Sequence, residues 1–391
     1  MSNERVRLRD LGIAIGVYPT GEHNAITDVA GVKVGHETVS WGDGSEPLGS
    51  GPARSGVTAI WPQRDGLLQN PVAAGFFALS GTGEMTARSE IEELGRINTP
   101  IVLTNTMSVG LAYDATCRYL VDLDPELGNQ HGVLIPVVAE CDDEYLHDVR
   151  GFHVTHEHVY AALDSARSGP IAEGCVGSGT GMICFGFKGG IGTSSRILPA
   201  DVGGWTVGVL TMTNFGRRQR LTFAGVPLGQ QLHGGTWDAG RGTREDVTES
   251  ASRVPRPASL TGDRVDGSCI VIIATDAPLD GRQLARLAKR AALGLGRTGS
   301  AGENGSGELL MAFSTTYRPH QGSGTSIQTV IEGESVNDLF AATVDATEEA
   351  ALNSLCMATT TTGRYGRVIE ALPLDRVREL LANAERVADA S

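Results

Sequence analysis

The chain has 391 residues, 40% hydrophobic and 20% charged, enough to bury a substantial core in one large domain or two of ordinary size. A formal charge of −14 argues against a nucleic-acid partner, because no basic stripe is available to neutralise phosphates. The apolar run at residues 11–17 is too short for a membrane span and lacks a small-residue cleavage site, which argues against a membrane partner or a secretory leader.

In chain order, apolar runs at residues 56–60, 101–104, 133–138, 205–213, 269–275 and 308–314 predict strands covered on both sides. Residues 282–295 place Leu284, Leu287, Ala288, Ala291, Ala292 and Leu295 on one helical face, with Asp280 and Gln283 as a capping pair. Residues 336–357 and 375–388 predict two further helices, each acidic on its solvent side. Strand and helix patterns alternate, as expected for α/β or α+β layering around a central sheet. Residues 235–266 follow neither period. This polar stretch, rich in Gly, Thr, Ser, Arg and Pro, is long for a structureless loop and reads as a functional or disordered tether.

The six cysteines show no CxxC spacing and read as reduced, mostly buried thiols, so the expected compartment is the cytoplasm. His153, His156 and His158 fall close together, but Thr155 fits an N-cap for a helix running through Tyr160 to Ala166. Two of these histidines then belong to a first turn, and no metal site is expected.

The tether ends at Gly267-Ser268, immediately before the apolar run that opens with Cys269. Cleavage between Gly267 and Ser268 would free a serine carrying both a hydroxyl nucleophile and an α-amine. The plain alternative is a loop entering a core strand. Three other groups bear on the choice. Ser306 and Glu308, after the turn Asn304-Gly305, share one face of a strand and are placed to orient an amine or relay its proton. Asn214, ending the strand at residues 205–213, is placed to donate its amide to an oxyanion; the alternative is a turn residue. The glycine-rich loops at residues 177–181 and 187–192 lack the phosphate-loop spacing, since Gly189 follows Lys188, and read as close backbone packing around a substrate pocket. Cys269 alternates to the face opposite Ser268 and reads as a small buried hydrophobe.

In this order the residues resemble the L-aminopeptidase/D-esterase family, which includes β-peptidyl aminopeptidases and nylon-oligomer hydrolases. The resemblance is carried by the stretches from Asn24 to His36, Arg54 to Thr58, Thr104 to Gly110, Gly177 to Gly181, Phe187 to Arg196, and Asp266-Gly267-Ser268. It implies an α+β fold, a four-layer αββα sandwich similar to N-terminal-nucleophile hydrolases with different connectivity. It also implies a single domain that cuts itself into residues 1–267 and 268–391. By the same resemblance Ser268 is the nucleophile, Ser306 and Glu308 its support, Asn214 the oxyanion donor and Tyr145 an active-site tyrosine. Glu140 is the candidate grip for a substrate ammonium. Ser80 stands where Asn is common and Met107 where a polar residue is frequent; both departures bear on substrate preference.

The expected activity is hydrolysis of N-terminal aminoacyl amides, esters or short peptides through an acyl-enzyme, with no metal or organic cofactor. The resemblance further implies a homo-oligomer of cleaved chain pairs. Two alternatives stay open: acyl transfer to an amine on a similar self-cleaving fold, and a non-enzymatic phosphate-binding protein using residues 177–192.

Overall fold

The computed structural model describes residues 4–232, 267–320 and 324–389. The chain runs through β1 (Lys33–Trp41), β2 (Ala53–Trp61), β3 (Val72–Gly81), α1 (Arg88–Leu94), β4 (Arg96–Ile97) and β5 (Ile101–Asn105). Next come α2 (Val109–Leu123), β6 (Val137–Cys141), α3 (His156–Asp164), β7 (Ile183–Cys184), β8 (Phe187–Lys188), β9 (Ile191–Ile197) and β10 (Thr206–Asn214). It continues through β11 (Ser268–Thr275), α4 (Gly281–Arg297), β12 (Gly307–Ser314), α5 (Asn337–Met357) and α6 (Leu374–Asp389).

Two sheets lie face to face. One has the order β1-β2-β5-β6 and is backed by α2 and α3; the other has the order β4-β3-β12-β11-β10-β9 and is backed by α4 and α5. This is the four-layer αββα arrangement. The central strand β11 shows why it forms. Ile270, Ile272 and Ala274 enter the core between the sheets, while Cys269, Val271 and Ile273 enter the core beneath α4 and α5. A strand covered on both faces needs an unbroken apolar run, and this one has it.

The six expected strands coincide with β2, β5, β6, β10, β11 and β12, although β6 begins only at Val137 rather than at residue 133. The capping pair forms as anticipated: the Gln283 N–H donates to Asp280 Oδ1 at 2.7 Å and the Asp280 N–H to Gln283 Oε1 at 3.1 Å. Thr155 caps α3. One expectation is corrected. The acids of α5 do not face solvent, for Asp345, Glu348 and Glu349 are buried against Arg297, Arg196 and Arg9. The helix lies beneath β9 and β10, and arginines supplied from elsewhere in the chain neutralise its charge.

The tether at residues 235–266 lies outside the described residues. Among those described, no helix is long and apolar enough to cross a membrane. Among the described residues no group of three or more His, Cys, Asp or Glu is placed to hold a metal ion.

Candidate active site

Register brings three strand ends together. Asn214 stands opposite Ser268 in the antiparallel ladder of β10 and β11, and Gly307 stands opposite Ser268 in the parallel ladder of β11 and β12. Ser268 is 4% exposed. The Cys141 thiol, on β6 of the facing sheet, packs against its hydroxyl. The nucleophile candidate therefore points into the space between the sheets, and Cys269 points away from it into the core under the helices.

The Asn214 amide is fixed at both ends. Its Oδ1 accepts the Ile183 N–H at 2.9 Å, and its Nδ2 donates to the Asp142 carbonyl at 2.8 Å. These partners leave one orientation for the amide, with Nδ2 also 3.5 Å from Ser268 Oγ. The Gly267 carbonyl accepts the Gly307 N–H at 3.0 Å. A Cβ added at Gly267 would lie 2.7 Å from the Asn214 carbonyl oxygen and 2.9 Å from Phe215 Cα, so only glycine fits there.

Ser306 Oγ donates to Glu308 Oε1 at 2.5 Å. With Gly307 opposite Ser268, alternation puts Ser306 beside Gly267 and Glu308 beside Cys269. The register thus seats the pair alongside the Gly267–Cys269 segment at the start of β11. Burial pushes the Glu308 carboxyl up, partly offset by the Ser306 hydrogen bond. Glu308 Oε2 is buried with no hydrogen-bond partner among the described residues.

Glu140 sits at the edge of the facing sheet, buried in β6. Its Oε1 accepts the Glu84 N–H at 2.9 Å and its Oε2 accepts the Thr106 hydroxyl. Burial pushes this carboxyl up, and those two hydrogen bonds pull it down. Glycine separates it from the strand ends: a Cβ at Gly83 would lie 3.1 Å from Glu140 Oε1 and 3.5 Å from Gly307 Cα. Tyr145 lies apart. Its ring carries the Arg367 guanidinium 4.4 Å from the centroid, and among the described residues no hydrogen bond joins it to Ser268, Asn214 or Glu308.

Ser80 Oγ donates to the Glu303 carbonyl at 3.2 Å, and Met107 is 51% exposed. The loops at residues 177–192 are packed backbone. A Cβ at Gly190, where φ is +153°, would lie 1.9 Å from the Gly174 carbonyl oxygen. Lys188 is fully buried with its ammonium on backbone carbonyls, which leaves no cation in that loop for a phosphate. Sequence reasoning missed the Gly307 N–H, because a backbone donor carries no residue signature. It also missed Thr106, although that residue stands within the quoted stretch from Thr104 to Gly110.

A serine at a strand start, faced by a fixed amide donor on an αββα frame, fits a hydrolase of the Ntn-like fold. The model for peptidase family S58 matches residues 24–369. A β-peptidyl aminopeptidase, BapA of Sphingosinicella microcystinivorans, is 44% identical over 392 residues, spanning 100% of this chain and 95% of the relative. A solved protein of Pyrococcus horikoshii OT3 superposes with TM-score 0.86 at 42% identity, covering 97% of this chain and 99% of that one. The L-aminopeptidase D-Ala-esterase/amidase of Ochrobactrum anthropi, described as a variant of the Ntn hydrolase fold, superposes with TM-score 0.84 at 38% identity and the same coverage. The chain belongs to peptidase family S58 and is a hydrolase of the aminopeptidase class.

Proposed function

We propose that the chain is a self-processing serine aminopeptidase whose nucleophile is Ser268. In the uncut chain Ser268 Oγ attacks the Gly267 carbonyl carbon, the acyl group passes from nitrogen to oxygen, and water hydrolyses the resulting ester. Residues 1–267 and 268–391 result and stay together in one domain. The observation that carries this reading is the hydrogen bond from the Gly307 N–H to the Gly267 carbonyl, beside a serine already faced by Asn214. That donor polarises the carbonyl under attack, and only glycine fits before the cut.

After scission the Ser268 nitrogen is an α-amine with an ordinary pKa of about 7.7–8.0, suited to taking the Oγ proton near neutrality. Ser306 and Glu308 hold that amine. A substrate with a free amino terminus acylates Ser268 and its ammonium is gripped by Glu140. Asn214 Nδ2, with the Gly307 N–H vacated by Gly267, stabilises the tetrahedral oxyanion. The amine product leaves and water completes hydrolysis. Tyr145 remains a candidate on the family resemblance alone. The proposed substrates are aminoacyl amides, aminoacyl esters and short peptides, and the names of the relatives extend them to β-aminoacyl groups.

Six cysteines, none in a disulfide, support a reducing compartment, and cytoplasm is the proposed location. Exposed apolar side chains such as Trp41 and Phe152 support self-association of cleaved pairs.

Intact mass under denaturing conditions tests the reading. Apportioning 41.0 kDa by residue count gives fragments of about 28 and about 13 kDa, the smaller beginning Ser-Cys-Ile-Val. The Ser268→Ala chain stays whole, folded and inactive; self-cleavage or turnover by that variant would sink the assignment. Comparing hydrolysis and aminolysis products at rising acceptor concentration separates it from an acyltransferase.

A further inference from the structure

Among the buried cations that the mechanism leaves without a role is a lysine behind the oxyanion donor. Lys188, at the end of β8, is 0% exposed. Its Nζ donates to the carbonyls of Met182 at 2.7 Å, Gly189 at 3.0 Å and Gly179 at 3.3 Å. Three carbonyl acceptors need three N–H bonds, and a neutral amine has two. The three carbonyls match the three N–H bonds of the ammonium, a charge that burial disfavours and that the neighbouring Cys175 thiol and Asp143 carboxyl favour.

The carbonyl it holds most closely belongs to the peptide unit joining Met182 to Ile183. The N–H of that same peptide unit donates to Asn214 Oδ1 at 2.9 Å. The Asn214 amide gives one hydrogen to the Asp142 carbonyl at 2.8 Å and directs Nδ2 at Ser268 Oγ, 3.5 Å away. Two amides thus stand in series between Lys188 and the nucleophile, each accepting at one end and donating at the other. A cation on the first carbonyl makes the Ile183 N–H more positive. That in turn draws electron density toward Asn214 Oδ1 and makes its Nδ2 hydrogens stronger donors.

We propose that Lys188 is a positioning residue that orients and polarises the oxyanion donor Asn214 through the Met182–Ile183 peptide. The proposal rests on the reading of Asn214 as oxyanion donor. A lysine that merely satisfied three loop carbonyls would stabilise the fold, and its removal would affect turnover only through lost folded protein. A lysine acting through Asn214 changes the rate of the step that raises the oxyanion, and it does so only while Asn214 is present.

The test is a double-mutant cycle on the full chain. Lys188→Met removes both charge and donor; Lys188→Gln keeps a donor without charge. Each is made alone and with Asn214→Ala, and kcat, KM and melting temperature are read with an aminoacyl anilide. Asn214→Ala alone loses about 10²–10³ in kcat. Lys188→Met loses about 10–100-fold in kcat with KM little changed, Lys188→Gln loses less, and neither adds a further loss in the Asn214→Ala background. A Lys188 loss that persists in that background, or that falls on KM, overturns the proposal. No loss from Asn214→Ala would instead overturn the reading of the oxyanion donor, a distinct result. Variants that stay uncut are read by the first-order rate of self-scission, in which the same Oγ raises an oxyanion and the same pattern is expected. Where neither neutral variant folds, Lys188→Arg displaces the charge from the Met182 carbonyl and is judged in the same cycle by the same outcomes.

Discussion

The Gly307 N–H donates to the Gly267 carbonyl across 3.0 Å, so the bond proposed for scission begins at a rung of the parallel ladder between β11 and β12. A ladder rung fixes the carbonyl in direction as well as distance, and it leaves a free donor once Gly267 withdraws. Gly267→Ala is the sharpest test of that geometry. The added Cβ would meet the Asn214 carbonyl oxygen at 2.7 Å and Phe215 Cα at 2.9 Å, both backbone atoms that cannot swing aside. The strand start must shift, at a cost of about 1–3 kcal/mol. Self-scission is expected to slow by at least about tenfold, a loss of about 1.4 kcal/mol in transition-state stabilisation. A time course on a denaturing gel measures it; cutting at the wild-type rate would show that the carbonyl is not held as proposed.

Glu140 stands at the far side of Gly83 from the strand ends, its two oxygens on the Glu84 N–H and the Thr106 hydroxyl. Glu140→Gln preserves the shape and removes the charge. For substrates with a free ammonium, KM is expected to rise about 10–100-fold, the equivalent of a charge-assisted hydrogen bond worth about 1.5–3 kcal/mol. Substrates whose amino group is replaced by hydrogen are expected to bind both forms alike. Equal losses on both substrate types would remove Glu140 from ammonium recognition.

What the sequence reveals depends on whether a residue's environment is local. The run from Cys269 to Thr275 is apolar on both faces, and its burial is legible from composition alone. The strand β9 is just as buried but reads Thr193-Ser194-Ser195-Arg196, whose partners include Val209, Ala346, Asp28 and Glu349. Nothing near it in sequence announces them. The acids of α5 mislead for the same reason: Glu349 meets Arg9 and Arg196, each more than 150 residues away. Within the site, Gly267-Ser268 and Ser306–Glu308 are legible because each lies within a few residues on a strand. The link from Lys188 to Asn214 passes through a main-chain peptide, and only the fold discloses it.

That buried network has a measurable strength. Arg196 and Glu349 are both 0% exposed, with Nη2 2.7 Å from Oε2, and Glu349 also takes Arg9 and Asn24. Glu349→Ala leaves the Arg196 guanidinium buried without its counter-charge, and the expected loss is about 3–5 kcal/mol of stability. Glu349→Gln, which keeps an acceptor, is expected to lose less. Urea unfolding of the uncut Ser268→Ala background measures both without interference from chain separation. A loss below about 1 kcal/mol for Glu349→Ala would mean that water or a shifted side chain satisfies Arg196.

Glu308 offers the pH test of the catalytic reading. Its Oε2 is a buried acceptor without a partner among the described residues, and burial pushes its carboxyl up, partly offset by the Ser306 hydrogen bond. Once the chain is cut, a carboxylate there favours the ammonium form of the α-amine and raises its pKa. Activity requires the free amine, so the acid limb of kcat/KM reports that pKa. Glu308→Gln withdraws the negative charge, the ammonium loses its stabilisation, and the amine pKa falls. The acid limb is therefore expected to move to lower pH, while the plateau drops by about 10²–10⁴ because the amine is no longer held for proton transfer. Ser306→Ala, which leaves the charge and removes the hydroxyl, is expected to lower the plateau with a smaller displacement of the limb. An acid limb that stays in place in Glu308→Gln would separate the carboxylate from the amine and return Glu308 to a purely structural role.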